Sequence, residues 1–161
     1  MNIEQTFDIY EAKQNVKSAL AATSEWRKAA AEDFAFMQGK QWQDADLKKM
    51  REAGRPAITI NRIRPVINLL CGYASQNETE PDFLPRSEED DRISRVAKGI
   101  TKYCLDRANY QRNKGKCFRD KIICGLANYW VSYEFDYTKL DGTIQIERVS
   151  PFDVFVDPEC K

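Results

Sequence analysis

The chain has 161 residues, 42% of them hydrophobic and 31% charged, with 25 basic residues balanced by 25 acidic ones. That length sustains one real core, and the zero net charge excludes a globally basic nucleic-acid binder while leaving local patches open. Histidine is absent from the sequence, which removes the commonest general base, the commonest zinc ligand and every Ser/His or Cys/His nucleophile pair.

No apolar run approaches the about 20 residues needed to cross a bilayer. The start, "MNIEQTFDIYEAK", lacks the basic-then-apolar order of a signal peptide. The five cysteines (Cys71, Cys104, Cys117, Cys124 and Cys160) include no C-x-x-C pair. They are expected to be reduced thiols in a cytosolic compartment, those within helices packing as small hydrophobes.

From about Glu4 to Met37, apolar or small residues recur at alternating spacings of three and four: Ile9, Ala12, Val16, Ala19, Thr23, Trp26, Ala30 and Met37. With no proline or glycine inside it, the stretch predicts one helix of about 50 Å. Asp33 on the seam argues against a strict coiled coil. Gly39 ends the helix, and Asp44 to Ala53 predicts a short second one stopping at Gly54. Gly39-Lys40 is not a phosphate-binding loop, because no glycine precedes it with four residues between and Gln41 takes the Ser/Thr position. Both glycines are expected to be corners, with Trp42 packing back on a neighbouring helix and Pro56 fixing the way into a short strand, "AITI".

Asn61 is a candidate N-cap for a helix from Arg62 to about Gln76, carrying Val66, Leu69, Leu70 and Tyr73 on one face. An extended, proline-bounded stretch, "ETEPDFLPR", follows. Ser87 with Asp90 suggests a capping box opening a helix to about Asn109, whose buried face is Ile93, Val96, Ile100, Tyr103 and Cys104. The acidic run from Glu88 to Asp91 fits a helix N-terminus better than a metal site. A further helix is expected from about Asn113 to Asn128, with Phe118, Ile122 and Leu126 at spacing four.

Strict alternation then takes over. "YWVSYEFDY" places Val131, Tyr133, Phe135 and Tyr137 on one face, Asp141-Gly142 suggests the turn, and "TIQIERV" alternates again. That predicts an antiparallel hairpin, followed after Pro151 by a third short strand, "FDVFVDP". Asp153 and Asp157 read as strand-end residues rather than a catalytic pair. A long N-terminal helix, further helices and then β-structure is an α+β order.

The strongest electrostatic feature is the stretch from Arg107 to Arg119, where Arg107, Arg112, Lys114, Lys116 and Arg119 occur with no acid between them and Tyr110 and Phe118 interleaved. Arg112, Lys114, Lys116 and Arg119 are candidate phosphate-backbone contacts, the alternative being a solvated helix start with Phe118 in the core. Arg55, Arg62 and Arg64 form a second basic cluster with the same ambiguity.

An ordered series of short motifs gives a more specific signal. Phe36, Gly39, Gln41 and Trp42 form F-x-x-G-x-Q-W. Gly54, Arg55, Pro56, Thr59 and Asn61 follow, then Gly72, Gln76, Asn77 and Pro81, then "GLANYWVSYEFDY", and finally Pro151 to Asp157-Pro158. This series resembles the portal proteins of tailed bacteriophages, in particular the large podovirus-type branch. It departs from the family at Asn128, where a second glycine is usual.

The resemblance implies a non-enzymatic, cofactor-free structural subunit with no catalytic, cofactor or metal site and no membrane association. It implies a ring of typically twelve subunits at one capsid vertex of the virion, made in the bacterial host cytoplasm. Double-stranded DNA would pass through it in packaging and ejection, held without sequence preference. Partners would be other portal subunits, the terminase motor, scaffold or capsid, and head–tail adaptors. Residues 1–161 would be an N-terminal, wing-type portion, with stem and clip downstream. The rival expectation is a small DNA-binding regulatory domain using the basic segment 107–121.

Overall fold

The computed structural model describes residues 8–77, 81–87, 90–138 and 141–158. Among these, six helices precede one antiparallel strand pair, the α+β order that the hydrophobic periods predict. Helix α1 spans Ile9–Ala22 and α2 spans Ser24–Gln38. The single long helix expected here is interrupted at Thr23, although Arg27 N–H still donates to the Thr23 carbonyl at 2.9 Å. The cause is local: the Thr23 hydroxyl donates back to the Ala19 carbonyl at 2.7 Å and accepts from Arg27 Nε at 3.1 Å, which bends the ladder without proline or glycine. At the N-terminus the helix starts after Asp8, whose carboxylate accepts from Tyr10 N–H at 2.8 Å.

Both glycine corners form as expected, and by the same device. Gly39 (φ 93°) donates to the Phe36 carbonyl while Lys40 reaches back to Ala35, each at 2.9 Å. Gly54 (φ 64°) donates to Arg51 at 3.1 Å while Arg55 reaches Met50 at 2.9 Å. These are paired Schellman closures of α2 and of α3 (Asp44–Glu52), in the left-handed conformation that glycine adopts without steric cost. Helix α4 (Ile63–Gln76) starts under Asn61, whose side-chain oxygen accepts from the N–H groups of Ile63 and Arg64, both at 3.1 Å.

Helix α5 spans Asp91–Arg107 and α6 spans Tyr110–Cys124, separated by Ala108 and a left-handed Asn109. Helix α6 thus begins three residues earlier than expected, and it ends at Gly125 (φ 79°) rather than near Asn128. Ahead of α5, Asp90 N–H donates to the Ser87 backbone carbonyl at 3.0 Å, so a tight turn precedes the helix. Glu88 and Glu89 lie outside the described residues.

Strands β1 (Asn128–Asp136) and β2 (Asp141–Val149) pair in register from Asn128↔Val149 to Asp136↔Asp141. Asp141 and Gly142 therefore already belong to β2, and the connection lies before them, which corrects the turn expected at that dipeptide. The Tyr133 ring occupies the space a Cβ on Gly142 would take, so this glycine makes room for an aromatic rather than for a reversal. Two further expected strands are absent among the described residues. Residues 57–60 are exposed and belong to no helix or strand. After β2, Pro151–Asp153 forms one 3₁₀ turn with the Ser150 hydroxyl accepting from Phe152 N–H at 3.3 Å, and the chain then runs on unpaired.

The buried core is small: Ala19, Ala30, Ile67, Ala108, Cys117, Cys124 and Pro151. Helix α6 is its hub, packing against α2, α4, α5 and β2. The faces expected to be buried are instead open. On α5, Ile93 is 66% and Ile100 59% exposed, and on α4, Leu69 is 72% and Tyr73 67% exposed. Val131 and Tyr133 on the hairpin are open as well, while Cys71 and Cys104 are half-buried free thiols. The accessible surface of 13637 Å² far exceeds the about 8,300 Å² of a compact folded monomer of this mass. Apolar periodicity placed these side chains on common faces correctly, but the surfaces that would cover them are not among the described residues.

Candidate nucleic-acid interface and the motif corners

Helix α6 sorts the candidate phosphate contacts onto different sides. Arg112, Lys116 and Arg119, at spacings of four and three, share one exposed face. Arg119 donates from Nη2 to Asn68 Oδ1 at 2.9 Å, which steadies it against α4. Lys114 lies across the helix from them. It is half-buried and, with Lys121, lines a cavity of about 450 Å³ between α4, α6 and β1, along with Cys71, Tyr110, Phe118 and Tyr129. Arg107 is committed elsewhere, 3.1 Å from Asp141 and 3.2 Å from the Tyr103 hydroxyl, and these partners raise its pKa above the ordinary arginine value. The structure therefore supports a strip of three cations, not a five-residue patch.

A neighbouring face of α6 anchors the hairpin. Asp120 is buried and accepts from Arg148 Nε at 2.5 Å, and this bond is the main reason the Arg148 pKa is raised. Asn113 donates to the Ile146 carbonyl at 2.6 Å, and the Cys117 thiol to the Asn128 carbonyl at 3.4 Å. Burial pushes the Cys117 thiol up, and it pushes the Tyr129 phenol up to about 12. A thiol held protonated is a packing group, not a nucleophile.

Two of the motif residues, Gly39 and Asn61, meet at one junction between α2 and α4. Asn61, besides capping α4, donates from Nδ2 to the Met37 carbonyl at 2.9 Å, tying the end of α2 to the start of α4. Gly39 lies against that amide, with a Cβ there 3.5 Å from Nδ2. Gln41 is half-buried beside the corner, whereas Phe36 is 42% and Trp42 37% exposed, so Trp42 is not the fully packed corner residue expected. Arg55 and Pro56 are exposed. Gly72 lies inside α4 with open space around it, and Gln76 is the last helical residue. Asn77 closes that helix, donating from its backbone and its side chain to the Tyr73 carbonyl at 3.2 and 2.9 Å. Pro151 is fully buried, and Asp157 and Pro158 are exposed.

Sequence reasoning missed the group that fixes the C-terminal motif. Arg27 donates to the carbonyls of Phe152 (2.6 Å) and Val154 (2.9 Å), with its guanidinium 4.8 Å from the centre of the Phe155 ring. Trp26 Nε1 donates to the Cys124 carbonyl at 3.1 Å, and Trp26 and Phe34 flank the Phe152 ring at 6.2 and 5.7 Å. The only signal was an arginine beside a seam tryptophan, and nothing in that pair says where along the chain its partners lie.

Among the described residues, no group of three or more His, Cys, Asp or Glu side chains is placed to hold a metal ion, and no helix is long and apolar enough to cross a membrane. The family model for phage P22-like portal proteins matches residues 13–161. The portal protein of Helicobacter pylori bacteriophage KHP30 is 22% identical over 143 residues, covering 84% of this chain. This chain spans 23% of that relative's length. The chain belongs to the P22-like phage portal protein family.

Proposed function

We propose that this chain is a structural, non-catalytic part of a portal ring at one capsid vertex, an outer wing-type region of a subunit through whose channel double-stranded DNA is packaged and ejected. The observation that carries this is the family match over residues 13–161, taken together with apolar faces on α4, α5 and β1 left uncovered by the described residues. Ring subunits need two different complementary faces, and uncovered apolar stripes are the surfaces from which such contacts are made. Motor ATPase activity would belong to the terminase, and head–tail adaptors would dock elsewhere on the ring. Arg112, Lys116 and Arg119 suit non-specific phosphate contact, because a channel that passes any genome has no use for tight base readout.

Two measurements test the proposal. Antibody raised against the chain should label a single vertex of phage particles that carry it; label spread over the whole shell would refute the portal placement. Binding to two unrelated duplexes across a salt series should be indifferent to sequence and no tighter than about 10⁻⁶ M near physiological salt. Nanomolar binding to one duplex, lost when Arg112, Lys116 and Arg119 are changed to alanine, would instead establish a DNA-binding regulator.

A further inference from the structure

We propose that residues 55–60 of one copy of this chain add as a third strand to the open edge of β1 in a second copy. The inference rests on the ring reading for its biological setting, but its physical basis is separate. Ala57, Ile58, Thr59 and Ile60 are exposed, belong to no helix or strand, and no backbone hydrogen bond joins them to any described residue. Ile58 is 68% and Ile60 70% exposed. Two isoleucines two residues apart around a threonine give this unpaired segment the composition of a strand without a sheet.

The acceptor is in the same fold. Strands β1 and β2 form a two-stranded sheet; α5 and α6 pack chiefly on β2, and α6 meets β1 at its first residues, Asn128 and Tyr129. The Asn113 amide already takes the Ile146 carbonyl of β2. The outer edge of β1 is therefore the open one, and it presents exposed Val131 and Tyr133 with half-open Phe135. A long, apolar, unprotected edge is a template for another strand, whose main-chain bonds would supply affinity and whose alternate side chains would supply register. Ile58 and Ile60 would then extend the Val131–Tyr133–Phe135 face.

Charge selects the pairing. From Gly54 to Asn77 the sequence has no acidic residue, and Arg55, Arg62 and Arg64 are exposed without an ion pair to a described residue. The hairpin presents exposed Glu134 and Glu147, while its Arg148 is neutralised by Asp120. A basic donor therefore meets an acidic acceptor. Because donor and acceptor are different patches of one chain, the contact is head-to-tail, the type that propagates and closes into a ring when the rotation permits. So short a strand makes a small interface, and it should be weak by itself.

The test is sedimentation velocity from low to about 100 µM, the range in which a small interface associates. Wild type should shift to larger species with concentration. The R55E/R62E and E134K/E147K variants should each remain monomeric alone, and an equimolar mixture should recover association, because each donor then meets an opposite acceptor. Thr59→Pro should abolish association without moving the thermal midpoint, since the Thr59 N–H has no partner among the described residues. Wild type monomeric throughout, a mixture no better than its components, or Thr59→Pro without effect would each overturn strand donation. Those failures leave vertex labelling intact as the measure of the ring reading. Recovery in the mixture with no vertex label would do the reverse.

Discussion

Replacing Arg27 tests how the N-terminal helices hold the C-terminal motif. The side chain makes charge-assisted bonds to the Phe152 and Val154 carbonyls at 2.6 and 2.9 Å, plus a stacking contact with Phe155. Hydrogen bonds to charged groups contribute about 1.5–3 kcal/mol each, and partial exposure of Arg27 argues for the low end. An exposed cation–π contact adds about 0.5 kcal/mol. Arg27→Ala should then cost about 3.5 kcal/mol. For a chain of this length each kcal/mol moves the midpoint by about 2–4 °C, so the expected fall is about 7–14 °C. Arg27→Lys keeps the charge but cannot span two carbonyls, and should recover less than about half of the loss. Thermal unfolding followed by circular dichroism measures both, and hydrogen exchange should show the 152–156 amides opening first. A fall below about 2 °C for Arg27→Ala, with Arg112→Ala as a surface control, would refute the clamp.

Asp120→Ala leaves Arg148 facing a low-dielectric site and should cost about 2 kcal/mol in urea unfolding, below the full buried-pair figure because the Arg148 side chain is 32% exposed. Gly54→Ala must hold φ at 64° and should cost about 1 kcal/mol, whereas Gly99→Ala, in open space on α5, should be neutral or slightly stabilising. Trp42→Ala should lower stability by about 2 kcal/mol, less than for a fully buried aromatic, because Trp42 is 37% exposed. The Tyr129 phenol, pushed from 10.0 up to about 12 by burial, stays protonated in the folded chain after it ionises in the unfolded one. Stability should therefore fall as pH rises from 10 towards 12, and phenolate absorbance should show one late-titrating tyrosine that Tyr129→Phe removes.

What the sequence disclosed was what neighbouring residues decide. Gly39 and Gly54 announced left-handed corners because a helix stop is settled within six residues, and Asn61 announced a cap within three. Helix and strand periods on α4, α5 and β1 were equally local. What covers those stripes is a question of tertiary and quaternary packing, and period alone carries no answer to it. The Thr23 bend was hidden because threonine usually passes unremarked in a helix, and it acts here through its hydroxyl. Arg27, Trp26 and the Asp120–Arg148 pair were hidden for another reason. Their partners lie 125, 98 and 28 residues away along the chain, and each such side chain looks like any surface charge or core aromatic until the fold brings it home. Two expected strands failed on the same account: "AITI" and "FDVFVDP" have strand composition, but a strand also needs a neighbour.

The clamp between α2 and the Phe152 turn has a consequence for synthesis. Trp26 and Phe34 are covered by a ring that leaves the ribosome 118 residues after Phe34 does. At about 5–20 residues per second, that interval is about 6–24 s. During this time a finished α2 carries an aromatic pair without the Phe152 ring that packs between them. Chaperone engagement on nascent chains should accordingly begin after α2 emerges and end once Phe152 and Phe155 have cleared the exit tunnel. A release that came earlier, with α4 and α6 alone, would mean that those helices shelter the pair during translation.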